Sequence, residues 1–432
     1  MLRRISLRNY KSFVDAELNL APLSVIFGPN DAGKSNLLDA FSLLSELVEV
    51  DSLTKAFDPK MHRGEILEAF HSPAGFGEQG IQEIRNQGQL ELQLEVDIEL
   101  QERIRDRINE LLKERERLAQ AEAYTRVAET RLRYCVGLRY DFKTGEPFVF
   151  DERLAALTRT GEEKQSRSAF IEFDASKRRF IARVERQSHP RYFADNRNRT
   201  LLSELSDPVY HPHVVAAKQE IRSWLSYYIE PSLVREERGV HGADDPGHHG
   251  EELAAFYWKL KHEHPTGFKA VSLNLRRLIP SLHAIDVREA QGRLHAVVIQ
   301  RGGAEFPFRL ASEGTLRLLC LLAIAIAPNP PAMVAYEEPE NGVQPGRLDI
   351  LADILKGIAD RGRTQVILTT HSPTLLERLT GGRFISCRRD QNGHSVFSAY
   401  EKQDRIFAAQ DLEEDLGEVT SLDERLLRGE FQ

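Results

Sequence analysis

The chain has 432 residues, of which 41% are hydrophobic and 29% charged, and a formal net charge of −8. These proportions exclude a low-complexity chain, a disulfide scaffold and a protein that coats nucleic acid indiscriminately. The length predicts two lobes, or one core carrying a large insertion. Three cysteines, Cys135, Cys320 and Cys387, stand far apart without metal-ligand spacing, which points to a reducing, cytoplasmic setting. The longest apolar stretch, 316–328, is too short for a bilayer and carries Arg317, and the first residues lack a signal-peptide core, so no membrane is expected.

Residues 2–8 alternate in polarity and "LSVIF" (23–27) is a short apolar run, so both read as strands. In 34–50, Leu37, Leu38, Phe41, Leu44, Leu47 and Val48 share one helical face. Residues 51–88 are glycine-rich and read as loop. The segment 89–100 alternates as a strand, and 101–124 reads as a helical arm. Its apolar residues Ile104, Ile108, Leu111 and Leu118 follow four- and three-residue steps that Arg115 interrupts. Strands are predicted at 131–142, 147–151, 168–174 and 179–185, and helices at 212–228 and 250–262. From 305 onward a buried helix (314–327), a strand (332–336), a helix (346–361), a strand (364–370) and a helix from Pro373 follow in turn. Strands alternating with helices imply a mostly parallel sheet, hence an α/β fold. The acid-rich tail, 401–432, is expected to dock a short helix. The chain therefore divides into an N-terminal lobe (1–88), a β-rich insertion with a helical arm (89–304) and a C-terminal lobe (305–432).

"GPNDAGKSN" (28–36) fits G-x-x-x-x-G-K-[ST], after a predicted strand and before a predicted helix. Gly28 and Gly33 permit the backbone to turn N–H groups toward an anion, and the helix start adds its positive dipole end. Lys34 reaches the β- and γ-phosphates of a nucleoside triphosphate, and the Ser35 hydroxyl can ligate Mg²⁺. Such a loop needs a second strand whose carboxyl end delivers an acid to the metal, and "AMVAYEE" (332–338) supplies it. Glu337 is read as the metal acid and Glu338 as the carboxylate that polarises the attacking water. "LASEGTLRLLCLL" (310–322) offers Ser312 and Gly314 at a second anion-facing helix start, and "TQVILTTHSP" (364–373) ends a strand in His371.

This order of motifs resembles the ABC-type ATPase heads of the RecF/SMC/OLD group, and in particular the RecF-like bacterial AAA family ATPases. "LRNYKSF" (7–13) is similar to that group's opening strand. The resemblance implies a P-loop NTPase head with a large β-rich and helical-arm insertion. It implies a Walker A loop of Gly28, Asn30, Gly33, Lys34, Ser35 and Asn36, and it makes Glu337 the metal acid and Glu338 the catalytic carboxylate. Ser312, Glu313, Gly314 and Thr315 would be the signature motif, Asn341–Pro345 the D-loop and His371 the switch histidine. It further implies ATP and Mg²⁺, sandwiched in a head-to-tail homodimer. Two positions depart from the pattern. Glu337 stands where Asp is usual, and Val343-Gln344-Pro345 replaces Leu-His-Pro. Gln79 and Gln82 lie where a Q-loop glutamine is sought.

Two functions follow. The first is an ATPase switch acting on DNA in repair or antiviral defence, with Arg131, Arg133, Arg178, Arg179, Arg197 and Arg199 as candidate phosphate contacts. The second is an ATP-gated scaffold that controls a separately encoded toxin or nuclease. "HGADDPGHHGEE" (241–252) offers His241, Asp244, Asp245, His248 and His249 as metal ligands, although a polar, glycine-rich surface loop accounts for them with less.

Overall fold

In the computed structural model, residues 1–57, 65–72, 75, 80–82, 85, 88–119, 124–185 and 189–400 are described. They fall into two compact units. The first comprises Met1–Ala21, Ser35–Trp224 and Cys387–Ser398, the second Pro22–Lys34, Leu225–Ser386 and the segment from Ala399. Among these residues no helix is long and apolar enough to cross a membrane. Gln79 and the tail 401–432 lie outside the described residues.

The first unit is built on an eight-stranded antiparallel sheet. Its order is Phe13–Asn19, Leu2–Tyr10, Gln89–Glu99, Arg131–Asp141, Glu146–Ala156, Ile171–Asp174, Arg179–Ala182 and Arg191–Ala194. Period-two alternation decides which face is buried: Leu90, Leu92, Leu94, Val96 and Ile98 all point inward. Gln89–Glu99 pairs directly with Leu2–Tyr10, so the backbone ladder runs across residue 88. The helix that starts at Lys34 and ends at Leu47 buries Leu37, Leu38, Phe41, Leu44 and Leu47, the face the periodicity predicts.

Two expectations in this unit are corrected. The helical arm, Glu102–Ala119, buries Ile104, Ile108 and Leu112 while Leu111 and Leu118 are exposed. One helix lying on another, Pro212–Arg222, follows the 3.6-residue period, not a heptad seam. The helix expected at 212–228 stops at Arg222, and Trp224–Tyr227 is a strand. Aromatic residues there fit a pleated, buried surface better than a further helical turn.

A buried carboxyl ties this unit together. Glu152 is fully buried and accepts hydrogen bonds from the Leu201 and Leu202 amides (2.6 and 2.9 Å) and from the Tyr134 hydroxyl (3.1 Å). Next to it, Thr200 donates its hydroxyl to the Leu47 carbonyl at the helix end and accepts from the Ser203 amide. Burial pushes the Glu152 carboxyl up to about 7, against the opposing pull of its three donors. The unfolded chain therefore releases this proton first, and stability should fall as pH rises from about 4.5 to about 7, by on the order of 3 kcal/mol. Denaturant midpoints measured across that range should slope downward in the wild type and flatten in Glu152→Gln; parallel curves would refute the assignment.

The second unit contains the parallel core of a six-stranded sheet, ordered Trp224–Tyr227, Met333–Glu337, Gln365–Thr370, Leu23–Phe27, Arg383–Arg389 and Ser395–Tyr400. Met333–Glu337, Gln365–Thr370, Leu23–Phe27 and Arg383–Ser386 run parallel. All six side chains of Gln365–Thr370 are buried, as expected of a central strand covered on both faces. The helices Glu313–Ile326 and Leu348–Asp360 add their apolar faces to the same core. A three-stranded antiparallel sheet, Leu282–Ala290, Arg293–Gln300 and Glu305–Pro307, packs with the helices Leu253–Glu263 and Pro265–Leu278.

Candidate functional site

Strand register gathers the site. Gln365–Thr370 lies between Met333–Glu337 and Leu23–Phe27, with Glu337 opposite Thr369 and Phe27 opposite Thr370. Three strands thus end at one edge of the sheet, and each is followed at once by a motif: Gly28, Glu338 and His371. Ligands of open parallel sheets bind beyond such carboxyl ends.

The loop after Phe27 has the backbone its glycines allow. Gly28 and Gly33 take φ of 150° and 106°, and Asp31 joins them at 63°. Gly28, Gly33 and Lys34 are buried, whereas Asn30 is exposed. The Lys34 ammonium donates to the Gly28 and Pro29 carbonyls, both at 2.8 Å, which curls the lysine over its own loop. Ser35 and Asn36 follow in the first helical turn, where Asn36 donates to the Ser12 hydroxyl at 2.8 Å. A loop of this curvature with a lysine at its mouth fits a polyphosphate, and Ser35 and Glu337, one in each unit, each carry a hard oxygen donor of the kind Mg²⁺ takes.

Glu338 sits in a strained backbone conformation, φ 47°, held by its amide bonding to the Thr369 carbonyl at 2.9 Å. Its two carboxylate oxygens have separate partners. Oε1 pairs with His371 Nδ1 at 3.0 Å, and Oε2 accepts from the Asn341 side-chain amide at 2.7 Å. The His371 bond, with Asn341 and the Lys34 charge assisting, draws the Glu338 carboxyl down to about 2. Glu338 in turn raises the His371 imidazole above its ordinary value, while Lys34 opposes it. In this arrangement the carboxylate is held charged and aligned, with both of its oxygens engaged.

Ser312 caps the helix Glu313–Ile326, accepting from the Thr315 amide at 3.2 Å and sharing a 2.8 Å hydroxyl contact with Thr315. Behind it, Gly314 meets Gly342 of the turn after the paired acids. A Cβ on Gly314 would stand 2.3 Å from the Gly342 carbonyl oxygen, and one on Gly342 2.4 Å from the Gly314 Cα. Both positions therefore need glycine.

Other candidates have structural partners. His248 and His249 bond the Ser226 and Tyr228 carbonyls (2.8 and 3.1 Å), His241 pairs with Glu252, and Asp244 with Lys259. Asp245 accepts from the Gly247 amide. No cluster of metal ligands is found among the described residues. All six arginines of the predicted basic face are paired: Arg131 with Glu99, Arg133 with Asp97, Arg178 with Asp195, Arg179 with Asp174, and Arg197 and Arg199 with Glu204. Sequence reasoning missed Glu340 and Thr370, whose side chains bond beneath His371. The only signal was the alternation of acids in Glu338-Pro339-Glu340.

A family model described as "AAA domain, putative AbiEii toxin, Type IV TA system" matches residues 23–377. The chain belongs to that family. It is also 35% identical over 97 residues to the DNA replication and repair protein RecF of Magnetococcus marinus, a match covering 20% of this chain and 25% of that protein. The chain thus aligns with about a quarter of the length of that curated relative. Among solved structures it is similar to an Smc head bound to the C-winged helix domain of ScpA, with a TM-score of 0.52, 11% identity, and coverage of 93% of this chain and 98% of the other. An SMC head domain from Thermotoga maritima scores 0.41 at 13% identity, covering 93% and 99%. The fold is that of an ABC-type P-loop ATPase head.

The Glu338–His371 pair has a pH signature. The lowered carboxyl contributes stability above about pH 4.5, which is lost as pH falls toward 2, and the raised imidazole contributes stability below its ordinary value, which is lost as pH rises through the folded one. The melting temperature of the wild type minus that of His371→Gln should therefore be largest between about pH 4.5 and 6.5 and shrink toward pH 9. A difference independent of pH would show that the pair is not ionic.

Proposed function

We propose that this chain is an ATP-binding, ATP-hydrolysing dimeric switch of the ABC type. The observation that carries the reading is the shared edge at which the loop of Lys34, the paired acids and His371 emerge from three adjacent parallel strands. We assign Gly28, Asn30, Gly33, Lys34, Ser35 and Asn36 to the nucleotide phosphates, and Ser35 with Glu337 to magnesium. When bound, magnesium neutralises triphosphate charge and so lowers the barrier to attack. Glu338 is assigned to orient and polarise the attacking water, and His371 to sense the terminal phosphate. For Glu338 to act, His371 must exchange the Glu338 oxygen for another partner, so the observed pair is a resting state. Ser312 and Gly314 are assigned to the nucleotide of a second copy, in a head-to-tail homodimer. Residues 89–304 are read as a β-rich insertion of the head with a helical arm.

DNA is the first target class, supported by the likeness to a protein named for DNA replication and repair. The ion pairing of all six candidate arginines favours the second reading, an ATP-gated scaffold for a separate effector protein, because a neutralised face has fewer counterions to release. A cytoplasmic setting belongs to both readings and is supported by three buried, unbridged cysteines.

Lys34→Ala should abolish ATP binding, and Glu338→Gln should keep binding while turnover falls by at least about 100-fold. Undiminished turnover in Glu338→Gln would remove the catalytic assignment. DNA binding, measured at several salt concentrations with and without a non-hydrolysed ATP analogue, separates the two targets. Salt-sensitive binding supports the DNA switch, and its absence in both states supports the scaffold.

A further inference from the structure

Glu340 lies in a turn, three residues beyond the strand Met333–Glu337, where an acid is ordinarily solvated. It is instead 8% exposed. Its Oε1 accepts a hydrogen bond from the Thr370 hydroxyl, and its Oε2 is buried without a partner. Thr370 is fully buried and also accepts from the Ser372 amide at 2.9 Å. Ser372 then caps the helix Pro373–Arg378 by accepting from the Leu375 amide. His371 is thus the one residue between two anchored neighbours, and Glu340 is the origin of the chain that anchors them.

An orphaned carboxyl oxygen in a protein interior costs about 1–3 kcal/mol, so its retention calls for a role beyond filling space. We propose that Glu340 is a positioning residue for hydrolysis, acting through Thr370 to fix the backbone and ring of His371 against Glu338. The proposal rests on the ATPase reading above. What the Thr370 hydroxyl requires of residue 340 is a hydrogen-bond acceptor, which a glutamine amide oxygen also supplies. A glutamine should therefore replace it and a leucine should not. Because a ring displaced by about 1 Å can cost up to 100-fold in turnover, the effect should be large and confined to kcat.

The test is steady-state ATPase kinetics on the full chain, with nuclear magnetic resonance of the His371 ring in the nucleotide-free protein. Glu340→Leu and Thr370→Val should each lower kcat by about 10- to 100-fold with KM for ATP nearly unchanged, while Glu340→Gln and Thr370→Ser stay within about threefold of wild type. In a His371→Ala background, Glu340→Leu should cause no further loss, because the two act as one unit. The His371 ring signals should move in Glu340→Leu and Thr370→Val and hold in the conservative variants. If Glu340→Leu does not fold, Thr370→Val carries the same comparison. Undiminished kcat, equal losses with and without His371, or failure of Glu340→Gln alongside Glu340→Leu would each overturn the proposal. A wild type that turns over no ATP would instead contradict the ATPase reading, and the ring signals would still report on Glu340.

Discussion

Everything at the site depends on the parallel register of three strands. Backbone hydrogen bonds hold Leu23–Phe27, Gln365–Thr370 and Met333–Glu337 in step, so segments more than 300 residues apart in the chain finish at one edge. Side chains alone could not achieve this, because each motif is short and rests on a loop. The completely buried central strand makes the register costly to slip: a shift by one residue would exchange the side chains packed on its two covered faces.

On that edge the structure shows a restrained arrangement. Glu338 pairs with a histidine and an amide from neighbouring turns, in a backbone conformation that only surrounding packing can hold. Lys34 folds back onto its loop carbonyls. Lys34 and His371 are thus already held by partners within the protein, and a ligand that engages them must exchange these contacts to bind. Differential affinity for the exchanged state is what would make such a site a switch. The close approach of Gly314 and Gly342 joins the second helix start to the turn beside Glu338, so a displacement of either backbone is felt by the other.

How much of this was legible in the sequence follows from how local each signal is. The phosphate loop, the paired acids and the strand before His371 could be read because each motif is contiguous and its neighbours announce a strand or a helix. The helix 212–228 was extended too far because the apolar spacing of Pro212–Arg222 continues into Trp224–Tyr227, where the strand preference of aromatics prevailed. In the arm, the four- and three-residue steps select Leu111 and Leu118 because both are apolar, yet only contact with another helix reveals that Leu112 faces inward. Likewise, arginines could be counted but not their partners: the carboxylates that neutralise them come from other strands, a turn and a short helix. Glu340 was passed over for the same reason, since burial of a turn acid is a property of the folded chain.

The most direct test of the central claim is a crystal structure of the Glu338→Gln protein with magnesium and ATP. The account predicts the triphosphate seated on Gly28–Lys34, with its terminal phosphate beside His371 and position 338. Nucleotide bound elsewhere, or a loop that stays closed on Lys34 at saturating ATP, would contradict it.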